Sequence, residues 1–138
     1  MPIFTSQIPN MPTALGQISQ SLVDLSDSLS WYTRPEPDHA EFMQSHANAQ
    51  VIGPKGLLVR DDIMVGVSLL KAGTTYPNHQ HPPAEIYLVL TSGQWWQSGS
   101  SWIEPGVGGY VYNSPNILHA MQSSQHQPLF AIWCLPLY

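Results

Sequence analysis

At 138 residues the chain is one domain by length, large enough to bury a single core but not two. Arg34, Lys55, Arg60 and Lys71 stand against nine acidic residues for a net charge of -5, which excludes a nucleic-acid partner, because non-specific binding to a phosphate backbone is largely electrostatic. Charges are scarce while prolines, glycines and aromatics are plentiful, the composition of a turn-rich β protein. No apolar run has transmembrane length and Met1 to Ser6 lacks the basic start and apolar core of a signal peptide, so a cytoplasmic protein without membrane contact is expected.

Residues 1 to 12 carry Pro2, Pro9 and Pro12 without an apolar period and read as a loose arm. From Thr13, placed to cap a helix, apolar residues recur at Leu15, Ile18, Leu22, Leu25 and Leu29, the spacing of one helix face expected to lie on a barrel wall. Thr33-Arg34-Pro35-Glu36-Pro37 breaks this pattern, and Asp38 with Glu41 three residues later resembles a capping box for a short helix through about Ser45. His39 and His46 read as surface histidines of this region. Residues 1–47 are thus an arm and helices packing on the rest, and 48–138 form a β-barrel.

After Asn48 short apolar segments alternate with turns, at 51–52, 57–60, 63–70, 85–91, 94–97, 101–103, 110–112, 117–122 and 129–135, as in an antiparallel sandwich or barrel. Gly53-Pro54-Lys55-Gly56 is a turn signal, not a phosphate loop, and Gly106, Gly108 and Gly109 suit a sharp bend before a strand. Cys134 has no partner for an intrachain disulfide and reads as a packed thiol.

Tyr76 to Tyr87 packs two histidines, a carboxylate and two phenols into one stretch. If it runs extended, His79 and His81 project from one face, because strand side chains alternate. Glu85 follows the Pro82-Pro83 turn and shares a face with Tyr87 and Val89, and His119 lies further along as a fourth ligand. Imidazoles with a carboxylate suit one divalent transition metal, Zn, Fe(II), Mn, Co or Ni, with no thiolate to narrow the choice.

Gly73, His79, His81, Glu85 and Gly93 resemble the first motif of the cupins, with Gly93 one residue late. Gly108, Pro115 and His119 resemble the second, with Asn116 where the family has glycine. Asn tolerates the left-handed conformation such a glycine supplies. The expected fold is therefore all-β, a single cupin (double-stranded β-helix, jelly-roll) barrel behind a short N-terminal helical preface. Residues 57–68, 76–90, 105–109, 112–121 and 128–133 further resemble the cupin-type dimethylsulfoniopropionate (DMSP) lyases, over roughly residues 31 to 138.

That resemblance implies metal ligands at His79, His81, Glu85 and His119 and functional tyrosines at Tyr76 and Tyr87, which on their own read as ordinary barrel aromatics. It implies cleavage of DMSP, a small zwitterion, to acrylate and dimethyl sulfide by β-elimination. The metal would take the substrate carboxylate and a tyrosine would act as base. The substrate's sulfonium would rest on aromatic faces, for which Trp31, Tyr32, Trp95 and Trp133 are the candidates. Trp95 and Trp96 must point opposite ways on a strand, so at most one faces a cavity. A homodimer follows from family analogy alone. Two other readings stay open: another metal-dependent cupin enzyme, either an Fe(II) dioxygenase or an isomerase of a small carboxylic acid, and a non-catalytic small-molecule-binding cupin.

Overall fold

A computed structural model describes residues 2–137. Three helices precede nine strands: α1 (Pro2–Gln7), α2 (Thr13–Leu25) and α3 (Ala40–Gln44), then β1 (His46–Gly53), β2 (Leu58–Val59), β3 (Ile63–Leu70), β4 (Thr75–His79), β5 (Glu85–Val89), β6 (Gly93–Gln97), β7 (Tyr110–Asn113), β8 (His119–Ser123) and β9 (Leu129–Pro136).

The strands form two sheets, one ordered β2-β1-β3-β9-β5-β7 and the other β4-β8-β6. Every pairing is antiparallel except β1 with β2. Alternation along each strand gives each sheet an apolar inner face. Leu70, Val89, Leu129, Ala131 and Trp133 of the large sheet share one buried cluster with Tyr76, Trp95 and Met121 of the small one. This is the jelly-roll arrangement of a cupin.

The outer face of the large sheet is covered over part of its width by the helical preface. Leu22 and Leu29 join Ala49, Val67, Leu90 and Phe130 in a second buried cluster, against which Leu15 and Trp31 pack. The apolar period of α2 thus does bury a face on the barrel, though Ile18 and Leu25 at its margin stay exposed. The helix ends at Leu25, and a 3-10 turn, Ser26–Ser28, delivers Leu29 as extended chain.

Four details of the preface differ from the expectation. The arm is helical, in α1 and a 3-10 turn at Ile8–Asn10, because Pro2 and Pro9 fall in first turns, where a missing N–H leaves no hydrogen bond unmade. Thr13 is the first helical residue and not the cap, since Pro12 occupies that position without a side-chain bond. The capping box at Asp38 does not form. The His39 N–H closes a turn onto Glu36 O at 2.9 Å, and α3 starts after His39 with no side-chain cap. Finally, β1 begins at His46, which is buried, not on the surface.

In the barrel, the 101–103 segment reduces to a single bridge from Ile103 to Trp95. Cys134 lies half-buried on β9 between Val65 and Ile86. β4, which the alternation of apolar segments and turns does not mark, pairs with β8 and carries the first half of the site.

Gly66 illustrates how tightly the inner wall is drawn. A Cβ there would fall 2.3 Å from the Ala49 carbonyl oxygen and 2.3 Å from Trp133 Cζ2. The backbone oxygen cannot yield without breaking the β1–β3 ladder. Gly66→Ala is therefore expected to destabilise the fold by about 1–3 kcal/mol, as overpacked cores do. An unchanged thermal midpoint would contradict the close approach.

Candidate metal centre

β4, β5 and β8 bring the site together. His79 pairs with His119 across β4 and β8, while Tyr76 pairs with Met121. Pro77 and Asn78 on β4 thus lie opposite Ala120 alone on β8, so the strand carries a bulge between Tyr76 and His79. Strict alternation would put these two side chains on opposite faces, but the extra residue turns both inward, where Tyr76 is 5 % and His79 5 % exposed. His81 lies beyond the strand end. Its carbonyl accepts the Asn116 N–H at 2.9 Å, tying its loop to the turn that precedes His119. Asn116 takes that turn at φ 63°, the left-handed conformation expected of it.

His81, Glu85 and His119 present ligand atoms that all lie within 4.8 Å of one another. Glu85 Oε1 stands 3.2 Å from His81 Nε2 and 3.4 Å from His119 Nε2. His79 falls outside this group of three but beside it, its ring centroid 4.1 Å from that of His119.

The imidazoles are set for ligation by the main chain. Nδ1 of His79 bonds Pro77 O at 2.8 Å, Nδ1 of His81 bonds Pro83 O at 2.9 Å, and Nδ1 of His119 bonds Ile117 O at 2.9 Å. A carbonyl accepts only, so each Nδ1 carries a proton and Nε2 is the ring nitrogen turned toward an ion, which is how backbone oxygens orient metal-bound histidines. His119 Nε2 is fully buried without a hydrogen-bond partner among the described residues. An orphaned buried nitrogen costs about 1–3 kcal/mol, and an ion would satisfy it. The residues present therefore fit a divalent metal.

The charges agree with a site that binds a cation. Burial alone would raise the Glu85 carboxyl, but the His119 and His81 imidazoles outweigh it and hold its pKa at about 2. Burial, with His119 alongside, pushes the His79 pKa down to about 3, so its ring is neutral. Glu85, as hydrogen-bond partner, raises that of His81.

A cavity of about 380 Å³ opens onto these groups. Its wall includes Tyr32, Arg34, Asn48, Ser68, Tyr76, His79, His81, Glu85, Tyr87 and Trp133. Burial pushes the Tyr76 phenol up to about 12, against an opposing pull from the facing Arg34 guanidinium. Burial also drives the Tyr87 phenol well above its usual value, and the facing Glu85 carboxylate adds to this.

The four aromatic candidates separate. Tyr32 and Trp133 line the cavity. Trp95 is buried behind Tyr87, ring centroids 4.7 Å apart, and is not part of the wall. Trp31 packs in the cluster beneath α2, donating its Nε1–H to Ser26 O at 2.9 Å.

Arg34, Asn48 and Ser68 are wall residues that sequence reasoning missed. The loop carrying Arg34 reaches the cavity wall because Tyr32 and Asn48 exchange two backbone hydrogen bonds of 2.8 Å, an isolated antiparallel bridge to β1. Arg34 is held there by its own N–H, which donates to His46 Nε2 at 2.8 Å, while His46 Nδ1 donates to Phe42 O at 2.6 Å. Phe42 stacks on the His46 ring at 3.7 Å.

Both His46 nitrogens are thereby committed to the neutral form, and burial lowers its pKa below 6.5. Above 6.5 neither folded nor unfolded chain binds a proton at this position, and the stability is fully present. As pH falls through that value the unfolded chain takes up a proton that the folded site resists, and stability is lost. His46→Gln should therefore flatten the fall in thermal midpoint between about pH 7.5 and about pH 5.5, and an equal slope in variant and parent would refute the assignment.

The two-sheet barrel with its His/Glu/His group defines the protein as a cupin. Residues 5–131 match the DMSP lyase family over most of the chain. The chain therefore belongs to the DMSP lyase family. It is 24% identical over 115 residues to the putative DMSP lyase DddL of Cereibacter sphaeroides, covering 83% of this chain and 49% of that protein. It is 32% identical over 85 residues to DddQ of Ruegeria pomeroyi, covering 61% of this chain and 42% of that protein. The chain thus spans about half the length, or less, of the curated relatives it matches.

Among solved structures, the crystal structure of Ruegeria pomeroyi DddQ superposes with a TM-score of 0.78 at 24% identity, over 96% of this chain and 71% of that one. A chain from the structures of the DMSP lyases RdDddP and RnDddQII gives 0.82 at 18% identity, over 99% and 72%. A cupin-2 domain protein of Rhodospirillum rubrum gives 0.65 at 13% identity, over 80% and 71%. No helix among the described residues is long and apolar enough to cross a membrane.

Proposed function

We propose that the chain cleaves DMSP to acrylate and dimethyl sulfide at this site, with a divalent metal held by His81, Glu85 and His119, joined by His79, and with Tyr87 in preference to Tyr76 as base. The observation that carries the reading is a His/Glu/His group able to hold a metal, of which His81 and Glu85 line a cavity walled also by two buried phenols, in a chain of this family. An ion bound there supplies Lewis acidity toward the substrate carboxylate and favours the ionised form of a neighbouring phenol.

The reaction removes the proton on the carbon beside the carboxylate. That proton passes to the tyrosine oxygen, the C–H electron pair becomes the double bond of acrylate, and the C–S pair leaves with the sulfur. Dimethyl sulfide departs neutral, so no general acid is needed, in keeping with a wall that carries no lysine. The rings of Tyr32 and Trp133 offer faces for the sulfonium, a contact of about 0.5–2 kcal/mol depending on desolvation.

Tyr87 is preferred because its hydroxyl faces Glu85, the carboxylate of the triad. In the ion-free protein that carboxylate opposes ionisation of the phenol. A cation on Glu85 cancels the opposition and reverses its sign, as bound ions do to neighbouring titrations. The test is dimethyl sulfide in the headspace over protein reconstituted with Zn, Fe(II), Mn, Co or Ni. Release no greater than from the metal-free control with every ion would overturn the lyase reading.

Two histidines and a carboxylate are also the facial triad of Fe(II) oxygenases, and that donor set favours a second reading, an Fe(II) dioxygenase of a small acid. Oxygen consumption by the iron-loaded protein separates the two, since the elimination uses no oxygen.

A further inference from the structure

The cavity wall contains two formally charged side chains, Arg34 and Glu85. Glu85 belongs to the metal triad, so Arg34 is the one permanent cation that the wall offers to an occupant. It is built in and not merely nearby. Its backbone is fastened through His46 to Phe42 as described, and its Nε donates to Glu36 Oε1 at 3.2 Å.

Glu36 takes one of the five guanidinium donors, and the side chain, 34% exposed, is neither sealed off nor fully solvated. Its positive charge acts on Tyr32, Tyr76, Tyr87, His79 and His81.

Abstracting the proton beside a carboxylate drives a second negative charge onto the carboxylate oxygens. A site that stabilises that doubly charged group benefits from a second positive centre besides an ion. Arginine is suited to this, because its planar fork matches the two oxygens of a carboxylate. The same charge repels a sulfonium, so a zwitterion is accepted in one direction, with its anionic end toward Arg34 and its cationic end away from it.

We propose that Arg34 is the substrate-anchoring residue of this cavity, binding the carboxylate of the substrate and fixing which way round it enters. The proposal rests on the lyase reading only for the identity of the molecule that carries the carboxylate.

The experiment is calorimetric titration of the zinc-loaded full chain with two probes. One is 3-(methylthio)propanoate, which keeps the carboxylate and lacks the sulfonium charge; the other is trimethylsulfonium, which is the reverse. Arg34→Met is expected to weaken methylthiopropanoate binding at least about tenfold, the scale of a lost charge-assisted bond, with Arg34→Lys in between. The variant should bind trimethylsulfonium as well as the parent or better, which loss of a merely structural residue would not produce.

Should Arg34→Met not fold, Glu36→Gln removes the counter-charge and leaves Arg34 in place, and it is expected to tighten carboxylate binding at least about twofold. Methylthiopropanoate binding within about twofold of the parent in Arg34→Met, unchanged or weaker binding in Glu36→Gln, or no binding by the parent would each overturn the proposal. A parent that binds the carboxylate through Arg34 but releases no dimethyl sulfide would remove the lyase reading and leave this one standing.

Discussion

On the proposed elimination, Tyr87→Phe should retain a bound ion and its fold while losing about 10²- to 10⁴-fold in kcat on DMSP, the contribution of a positioned general base. The substitution removes one oxygen and keeps the ring, which is 3 % exposed and packed against Trp95. The core is therefore not opened. The lost atom is the one facing Glu85, so the damage falls on proton transfer. Tyr76→Phe serves as the comparison. Its ring lies 4.2 Å from that of His79 and 4.4 Å from that of Phe42, contacts that a phenylalanine preserves. Its hydroxyl faces Arg34, so its loss should act more on KM than on kcat. Full turnover in Tyr87→Phe, with metal content equal to the parent by elemental analysis, would transfer the base role to Tyr76 or to neither.

His119→Ala is expected to abolish stoichiometric metal binding and, with it, turnover. Losing a partner that only orients a ligand already costs 10–100-fold in affinity, so losing the ligand itself should exceed about 100-fold. The thermal signature is diagnostic. An ion present at about 100 times its Kd stabilises the native state by about 2.7 kcal/mol. For a domain of this size that is a rise of roughly 10 °C on metal addition, present in the parent and absent in the variant. The stripped proteins should differ much less, because the variant also removes a buried nitrogen that has no partner without the ion. An equal rise in both would contradict His119 as a ligand.

The site was legible in the sequence to the extent that local spacing controls it. Glu85 and Tyr87 share a face because β5 is a regular strand, and Asn116 adopts the left-handed turn foreseen for it. Tyr76 is different. Counting by twos from His79 puts it on the wrong face, and only a bulge fixed by the register with β8 turns it inward. Pro77, which cannot donate to a ladder, is the one sign in β4 that the pairing is interrupted there, but which side chains the interruption turns inward is decided by the pairing.

Arg34 escaped for a related reason. Its Pro-flanked segment reads as a helix break, and its place over the cavity depends on the bridge between Tyr32 and Asn48 and on the His46 imidazole, contacts between distant parts of the chain. His46 looked like a surface residue because a lone histidine after a short helix usually is one. Its burial follows from β1 starting earlier than the apolar pattern suggests. Trp31 and Trp95 could not be separated from Tyr32 and Trp133 by composition, since all four are aromatic and what divides them is which layer each faces.

The carbonyls that hold the three imidazoles have a consequence for how such a protein can change over generations. Pro77, Pro83 and Ile117 contribute main-chain oxygens to this task, not side chains. Every amino acid brings that same oxygen, so the aim of the ligands is inherited with the path of the backbone and not with the letters around it. The neighbourhood of the candidate metal site can therefore be rewritten extensively by mutation while the imidazoles stay pointed at one spot. Selection is left free to work on the walls of the cavity.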